Sequence, residues 1–250
     1  PLIEVGSIQT ASDAHYGDLD GDGVPELAVG RFPVATVLEC QTMVQKTIAH
    51  DSPGRVLPQP RVLLIGDDGD DFDGMSAVIP PLLPIGVNVH SLELDTMPIS
   101  ALRTELITIE WPSATVVHYT GHGSRQQWAD EGILLLSDMP ALSPDPTPPL
   151  VIAMNCLNGF FQHPGTPSLG EALVVEPAGG AVAFFGPTAV TTTLRQQVFA
   201  EALYSSLFLG SGIRIGDVIC NAQEQLADDP ENADVIRSWV LLGDPALLVQ

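Results

Sequence analysis

The sequence predicts an α/β fold with a mostly parallel sheet covered on both faces by helices. Two observations carry this. Short, continuous apolar runs such as "RVLLIG", "ATVVHYT", "LVIAMN" and "AVAFFG" read as strands buried on both sides. Between them lie longer segments with helical periodicity, and that alternation is the signature of parallel strands joined by crossover helices.

In chain order, strands are expected at 26–32, 61–66, 87–94, 114–120, 150–155 and 181–186. Helices are expected at 34–49, 73–83, 98–109, 168–177, 194–209 and 214–228. In the fifth helix Phe199, Leu203 and Leu207 recur every fourth residue and form one apolar face. The proline-rich "SPDPTPP" at 143–149 reads as a surface connection, because a strand follows at once. There is no internal repeat, and 250 residues suffice for one domain, with or without a small lobe.

Composition narrows the function. Hydrophobic residues make up 45% of the chain and charged residues 16%, a globular balance. No apolar run approaches the roughly 20 residues of a membrane-spanning helix. Pro1 opens directly onto "LIEVGSIQTASDAHYG" with no signal-peptide pattern, as expected of a mature fragment, a domain excerpt or a cytoplasmic protein. With 31 acids against 9 bases, the net charge of −22 argues against nucleic acid, whose phosphates need a basic surface. An acidic surface suits salty or extracellular surroundings and attracts basic substrates.

Two stretches end on reactive side chains. "VVHYTGHGS" delivers His122 between glycines, and the amide of Gly123 is open to a developing oxyanion. "LVIAMNCLNG" delivers Cys156 at a strand end 34 residues later. A thiol next to an imidazole can be held as thiolate and attack a carbonyl. In parallel sheets, sites form beyond the carboxyl ends of the strands, so adjacent strands would bring both to one rim. His118 does not pair with His122 around zinc, because four residues of strand span roughly 13 Å; it is expected to be packed or hydrogen-bonded within the sheet. Cys40 and Cys220 read as small apolar core residues, and a disulfide between them is left open.

Acidic residues gather in two further places. In "GDLDGDGVPELAVG", Asp18, Asp20 and Asp22 alternate with glycines in a pattern that can wrap calcium, although Val29 stands where an EF-hand has its last acid. "GDDGDDFDG" crowds Asp67, Asp68, Asp70, Asp71 and Asp73 after the second main strand, where one could orient the histidine or receive a basic side chain.

These residues resemble a known family. "HYTGHGSRQQWADEGILL", "AMNCLNGFF", "SLGEAL", "LLGDPALLV" and "YGDLDGDGVPELAVGRFPV" are similar to segments of the gingipain family of cysteine peptidases, in the same order from about residue 13 to 250. The resemblance implies a caspase-like three-layer αβα sandwich over residues 1–250, with an upstream lobe or C-terminal domains of the same precursor beyond them. It implies a cysteine endopeptidase at the cell surface or outside the cell, acting on protein or peptide substrates without a catalytic cofactor. Cys156 would be the nucleophile and His122 its base and acid, with the amides of Gly123 and Cys156 as oxyanion hole. Asp67, with Asp68 beside it, falls where the family supports the histidine. Asp73 falls nearest the acid that lines the pocket of arginine-cleaving members and implies a basic P1 residue. "FFGPTAVTTTLRQQ" lacks the tryptophan that walls that pocket. Some relatives are sortase-like transpeptidases, so transfer stands beside hydrolysis. A catalytically inactive, calcium-binding acidic module is the remaining alternative.

Overall fold

In the computed structural model, residues 1–52, 59–69, 72–143, 148–210 and 212–249 are described. The strands are β1 (Leu2–Val5), β2 (Ile8–Ala11), β3 (Gly30–Arg31), β4 (Arg61–Gly66), β5 (Asn88–Glu93), β6 (Val116–Thr120), β7 (Gly123–Ser124), β8 (Gln127–Trp128), β9 (Leu134–Leu135), β10 (Leu150–Met154), β11 (Ala183–Pro187) and β12 (Trp239–Leu242). The helices are α1 (Val37–His50), α2 (Phe72–Ala77), α3 (Ile99–Glu105), α4 (Leu169–Val175), α5 (Thr193–Leu207), α6 (Ile215–Leu226) and α7 (Ala233–Ser238).

Seven strands form the main sheet in the order β3-β12-β11-β10-β6-β4-β5. The run from β11 to β5 is parallel, and β12 turns the direction by pairing antiparallel with β11. Alternating side chains feed two cores. Val62, Leu64, Val116, Ile152 and Phe185 face one cluster with α5 and α6, and Leu63, Ile65, Val117, Val151 and Phe184 face the other. Strands buried on both faces have no polar side to show, which is why they read as unbroken apolar runs.

Local chemistry fixes the element ends. Thr36 accepts from the Glu39 amide while Glu39 accepts from the Thr36 amide, so α1 starts at Val37 rather than at residue 34. Ser168 and Glu171 make the same reciprocal pair at the start of α4. The strand expected at 26–32 shrinks to Gly30–Arg31, because Glu26 and Leu27 donate to the carbonyl of Gly17 and close the acidic loop instead. Gly17 must be glycine there: a Cβ would stand 2.1 Å from the Leu27 carbonyl oxygen. The helix expected at 98–109 becomes α3 followed by a π-turn over Leu106–Glu110.

The cysteines correct one expectation. Cys40 and Cys220 are free thiols and only partly buried, so neither is a core residue and no disulfide joins them. His118 is fully buried, lies 3.0 Å from Thr120 Oγ1 and packs edge-on to Tyr204. Burial pulls its pKa down to about 3, so it stays neutral inside the sheet.

Lys46, the one lysine of the chain, is buried on α1. Its ammonium donates to the carbonyls of Val174 (2.9 Å), Ala181 (3.2 Å) and Leu173 (3.4 Å), tying α1 to the end of α4. Burial lowers its pKa from 10.5 to about 7. Between those values the unfolded chain binds a proton that the native lysine has released, so stability rises with pH from about 7 upward. Urea unfolding should show a gain of about 1–2 kcal/mol between pH 7 and 9, and Lys46→Met should flatten it. Equal slopes in the two proteins would contradict this account.

Candidate active site

The parallel pairing of β6 with β10 runs from Val116 opposite Leu150 to Thr120 opposite Met154. Gly121 extends it by donating to the Met154 carbonyl (3.2 Å). His122 and Cys156 each lie two residues beyond the last paired position, so one register delivers both at the same height on neighbouring strands. The next residue, Gly123, packs directly on the cysteine segment. A Cβ there would come within 2.4 Å of Asn155 Nδ2 and 2.7 Å of the Cys156 carbonyl oxygen. Any side chain at 123 would push the two segments apart.

His122 is held by its main chain while its ring is exposed. Its amide donates to Asp67 Oδ2 (2.8 Å). Its carbonyl accepts from the Tyr119 hydroxyl (2.6 Å) and the Ala129 amide (3.0 Å). Tyr119 is itself clamped by stacking on Trp128, with centroids 4.4 Å apart. The imidazole meets the edge of Phe72 at 5.1 Å between centroids.

Asp67 is buried directly after β4. Its carboxylate accepts from the amides of His122 and Asp68, so it reaches the histidine through the main chain. Burial pushes its pKa up, and those two amide bonds and the charge of His122 pull it back. Asp68 and Glu131 are exposed, and both bring a carboxylate oxygen within 4.8 Å of the Asp67 carboxylate. Asp70 and Asp71 lie outside the described residues, as does the side chain of Asp73, whose backbone belongs to α2.

Cys156 is half-buried, with Sγ 3.8 Å from the Thr191 carbonyl oxygen. Burial pushes its thiol up, and hydrogen bonds from the Thr191 backbone and the Gln196 side chain draw it partly down. Leu157 then takes a left-handed conformation, φ 64°, which turns the chain sharply after the thiol. Three buried amides hold this turn. Asn155 donates to Asn158, and Asn158 donates to the carbonyls of Ser124 and, at 3.3 Å, Gln127. Gln196 donates to the Asn155 carbonyl (2.9 Å) and to Thr191. Asn155 and Asn158 stand in a sequence motif that assigns them no role, and Gln196, in the first turns of α5, carries no local signal.

Away from this rim, Asp18, Asp20 and Asp22 converge, and Glu26 joins them. One oxygen from each lies within 4.8 Å of the others. Amides of Gly21 and Gly23 hold Asp18, and the Leu19 amide holds Glu26 at 2.7 Å.

The family model of peptidase family C25 matches residues 2–250. The chain belongs to peptidase family C25. A curated C25 relative, Lys-gingipain W83 of Porphyromonas gingivalis, is 25% identical over 188 residues, covering 70% of this chain and 10% of that protein. The crystal structure of the Arg-specific cysteine proteinase gingipain R superposes with a TM-score of 0.80 at 20% identity, over 96% of this chain and 60% of that one. A complex of RgpB pro- and mature domains from Porphyromonas gingivalis matches with the same score at 19% identity, covering 96% and 60%. The C25 chain described here thus spans about a tenth of the curated relative and three fifths of the solved ones, and its fold is the caspase-like fold of gingipains.

Gln196 offers a test of the C25 thiol's surroundings. Its donor favours the thiolate, so Gln196→Leu should raise the thiol pKa and move the iodoacetamide profile of Cys156 to higher pH. At pH 7 the rate should fall several-fold, since one unit of pKa is a tenfold change in thiolate fraction. An unmoved profile in a folded variant would remove Gln196 from the environment of the Cys156 thiol.

Proposed function

We propose that this C25 domain is a cysteine endopeptidase that hydrolyses peptide bonds through Cys156 and His122. The observation that carries the proposal is the shared height of the two residues beyond one β6–β10 register, with Gly123 packed on Asn155 and Cys156. Because burial holds the thiol protonated, a base must take its proton as attack begins. His122 accepts that proton, and Sγ bonds to the substrate carbonyl carbon. The amides of Gly123 and Cys156 donate to the oxyanion. Collapse breaks the C–N bond, and His122 protonates the leaving amine. Water, deprotonated by the same imidazole, then releases the acid from the acyl-enzyme and restores the thiol. Asp67 acts as a positioning residue through the His122 amide. No cofactor takes part in these steps.

Of the relatives named above, one is a Lys-gingipain and another an Arg-specific cysteine proteinase. For this chain we infer a preference for basic P1 side chains, supported by Asp68 and Glu131 beside the histidine loop and by the net charge of −22. Asp73 on α2 is the further candidate for that pocket. The acidic surface supports an extracellular or cell-surface setting, and no helix among the described residues is long and apolar enough to cross a membrane. Residues 1–250 then act as the peptidase domain of a longer precursor, with an upstream lobe or C-terminal domains as further partners.

Cys156→Ala and His122→Ala should each abolish peptide hydrolysis in folded protein, with the wild type favouring arginine or lysine at P1 in a positional library. His122→Ala should also slow alkylation of Cys156 at neutral pH, with recovery in alkali as the thiol ionises. Wild-type hydrolysis and alkylation in His122→Ala would overturn the dyad. A library led by apolar P1 residues would overturn the basic preference alone.

Calcium fits the acidic loop. Four carboxylates converge, hard oxygen donors suit that ion, and main-chain amides already orient Asp18 and Glu26. Asp18, Asp20, Asp22 and Glu26 would hold it as a structural ion that closes the turn before β3. Calcium at a hundred times its dissociation constant would add about 2.7 kcal/mol. A melting temperature higher by roughly 5 °C than in EDTA, lost in Asp20→Asn, is the expected result; identical midpoints would exclude the site.

A further inference from the structure

On the far edge of the sheet, His90 of β5 faces the helical segment that packs on it. It lies two residues from Leu92, on the strand face that meets Leu102 and Leu106. The helical segment presents Glu105 at the end of α3 and Glu110 at the end of the π-turn. Five residues along an α-helix would put these two about 140° apart. The π-turn closes its hydrogen bonds from i to i+5 and stacks residue 110 over residue 105. The local widening of the helix is what brings the two carboxylates to one place.

His90 Nε2 lies 3.3 Å from Glu105 Oε1 and 3.8 Å from Glu110 Oε1, and all three atoms fall within 4.8 Å of one another. One ring N–H can serve only one carboxylate, and 3.8 Å is beyond a hydrogen bond. Separations near 3.3 Å are those between neighbouring ligands of a tetrahedral ion with bonds of 2.0–2.1 Å, as around zinc. The other oxygen of Glu110 is paired with Arg61, which also donates to Ser113 Oγ (3.0 Å). That is the arrangement of a ligating carboxylate oriented by an outer hydrogen bond. With a neutral imidazole, two carboxylates face one guanidinium, which leaves a negative charge for a cation. Glu110 is nearly buried, whereas His90 and Glu105 are open to solvent at 39% and 33%, so an ion can enter.

We propose that His90, Glu105 and Glu110 form a zinc site with a fourth position for water, pinning the edge strand β5 to α3. It is separate from the thiol rim: His90 is level with Leu63 in the middle of β4, and the rim begins after Gly66.

The test uses the full chain with Cys156 alkylated, so that the thiol takes no zinc, and with calcium in excess to saturate the acidic loop. Zinc is titrated against a chromophoric chelator. The expected result is one ion per chain, bound at least tenfold more weakly in His90→Gln and in Glu105→Gln, with a zinc-dependent rise in melting temperature that both variants lose. Equal uptake by wild type and His90→Gln would overturn the site. Carbethoxylation of histidines in the wild type, read by mass spectrometry, keeps the question decidable if the variants do not fold. Zinc should protect His90, and an unchanged rate at His90 would refute the proposal.

Discussion

The parallel pairing of β6 with β10 is the constraint on which the candidate site depends. Side chains alternate along a strand, so slipping this pair by one residue would turn every apolar side chain of one strand to the opposite core. Val116, Ile152 and Met154 belong to one cluster and Val117, Val151 and Ala153 to the other, which makes such a slip costly. The hydrophobic core therefore sets the height of His122 against Cys156 without any contact between the two being required. The juxtaposition of these two strand ends is here a by-product of packing in the middle of the sheet.

Packing alone would leave two frayed strand ends, and polar groups turn them into a fixed rim. Asp67 directly follows β4 and binds the main chain of His122; Gly121 makes room for it, since a Cβ there would stand 2.3 Å from Asp67 Cβ. Asn158 bridges the histidine side, at Ser124 and Gln127, to Asn155 on the cysteine side. Buried polar groups are costly unless bonded; Asn158 finds partners on both sides of the site, and Asp67 finds the amides of His122 and Asp68. The same bonds that offset their burial also bind the two halves together.

The buried strands were legible because each is a continuous apolar run, and β4 was placed to the residue. β12 was not placed, although it belongs to the same sheet. "WVLL" is only four residues long and directly follows α7, so its period distinguishes neither strand nor helix. His122 and Cys156 stood out because a reactive side chain follows a strand and glycines flank the histidine. Gln196 did not, because its role exists only after α5 folds back over the end of β10. Glu26 was missed for a different reason. Glycine spacing pointed to Asp18, Asp20 and Asp22, whereas Glu26 arrives through the turn closed on the Gly17 carbonyl. The contact between Asp67 and the main-chain amide of His122 is likewise a tertiary fact with no sequence signature.

The charge of the molecule acquires a structural meaning once its cations are located. Every described lysine and arginine is committed to the protein itself. Arg31 forks onto Asp13, Arg61 pairs with Glu110, Arg103 with Asp138, and Arg195 with Asp229 and Glu231. Arg237 meets Asp234, while Lys46, Arg125 and Arg214 bond carbonyls. The acids greatly outnumber these partners, so the field seen from solution is that of the surplus carboxylates. Such a field draws cations toward the rim and the acidic loops, and salt weakens it beyond about 8 Å at physiological ionic strength. A basic side chain and a divalent ion are thus attracted by the same feature. What separates their destinations is local geometry: four converging carboxylates at the Asp18 loop, and the proposed peptide-binding rim beside His122.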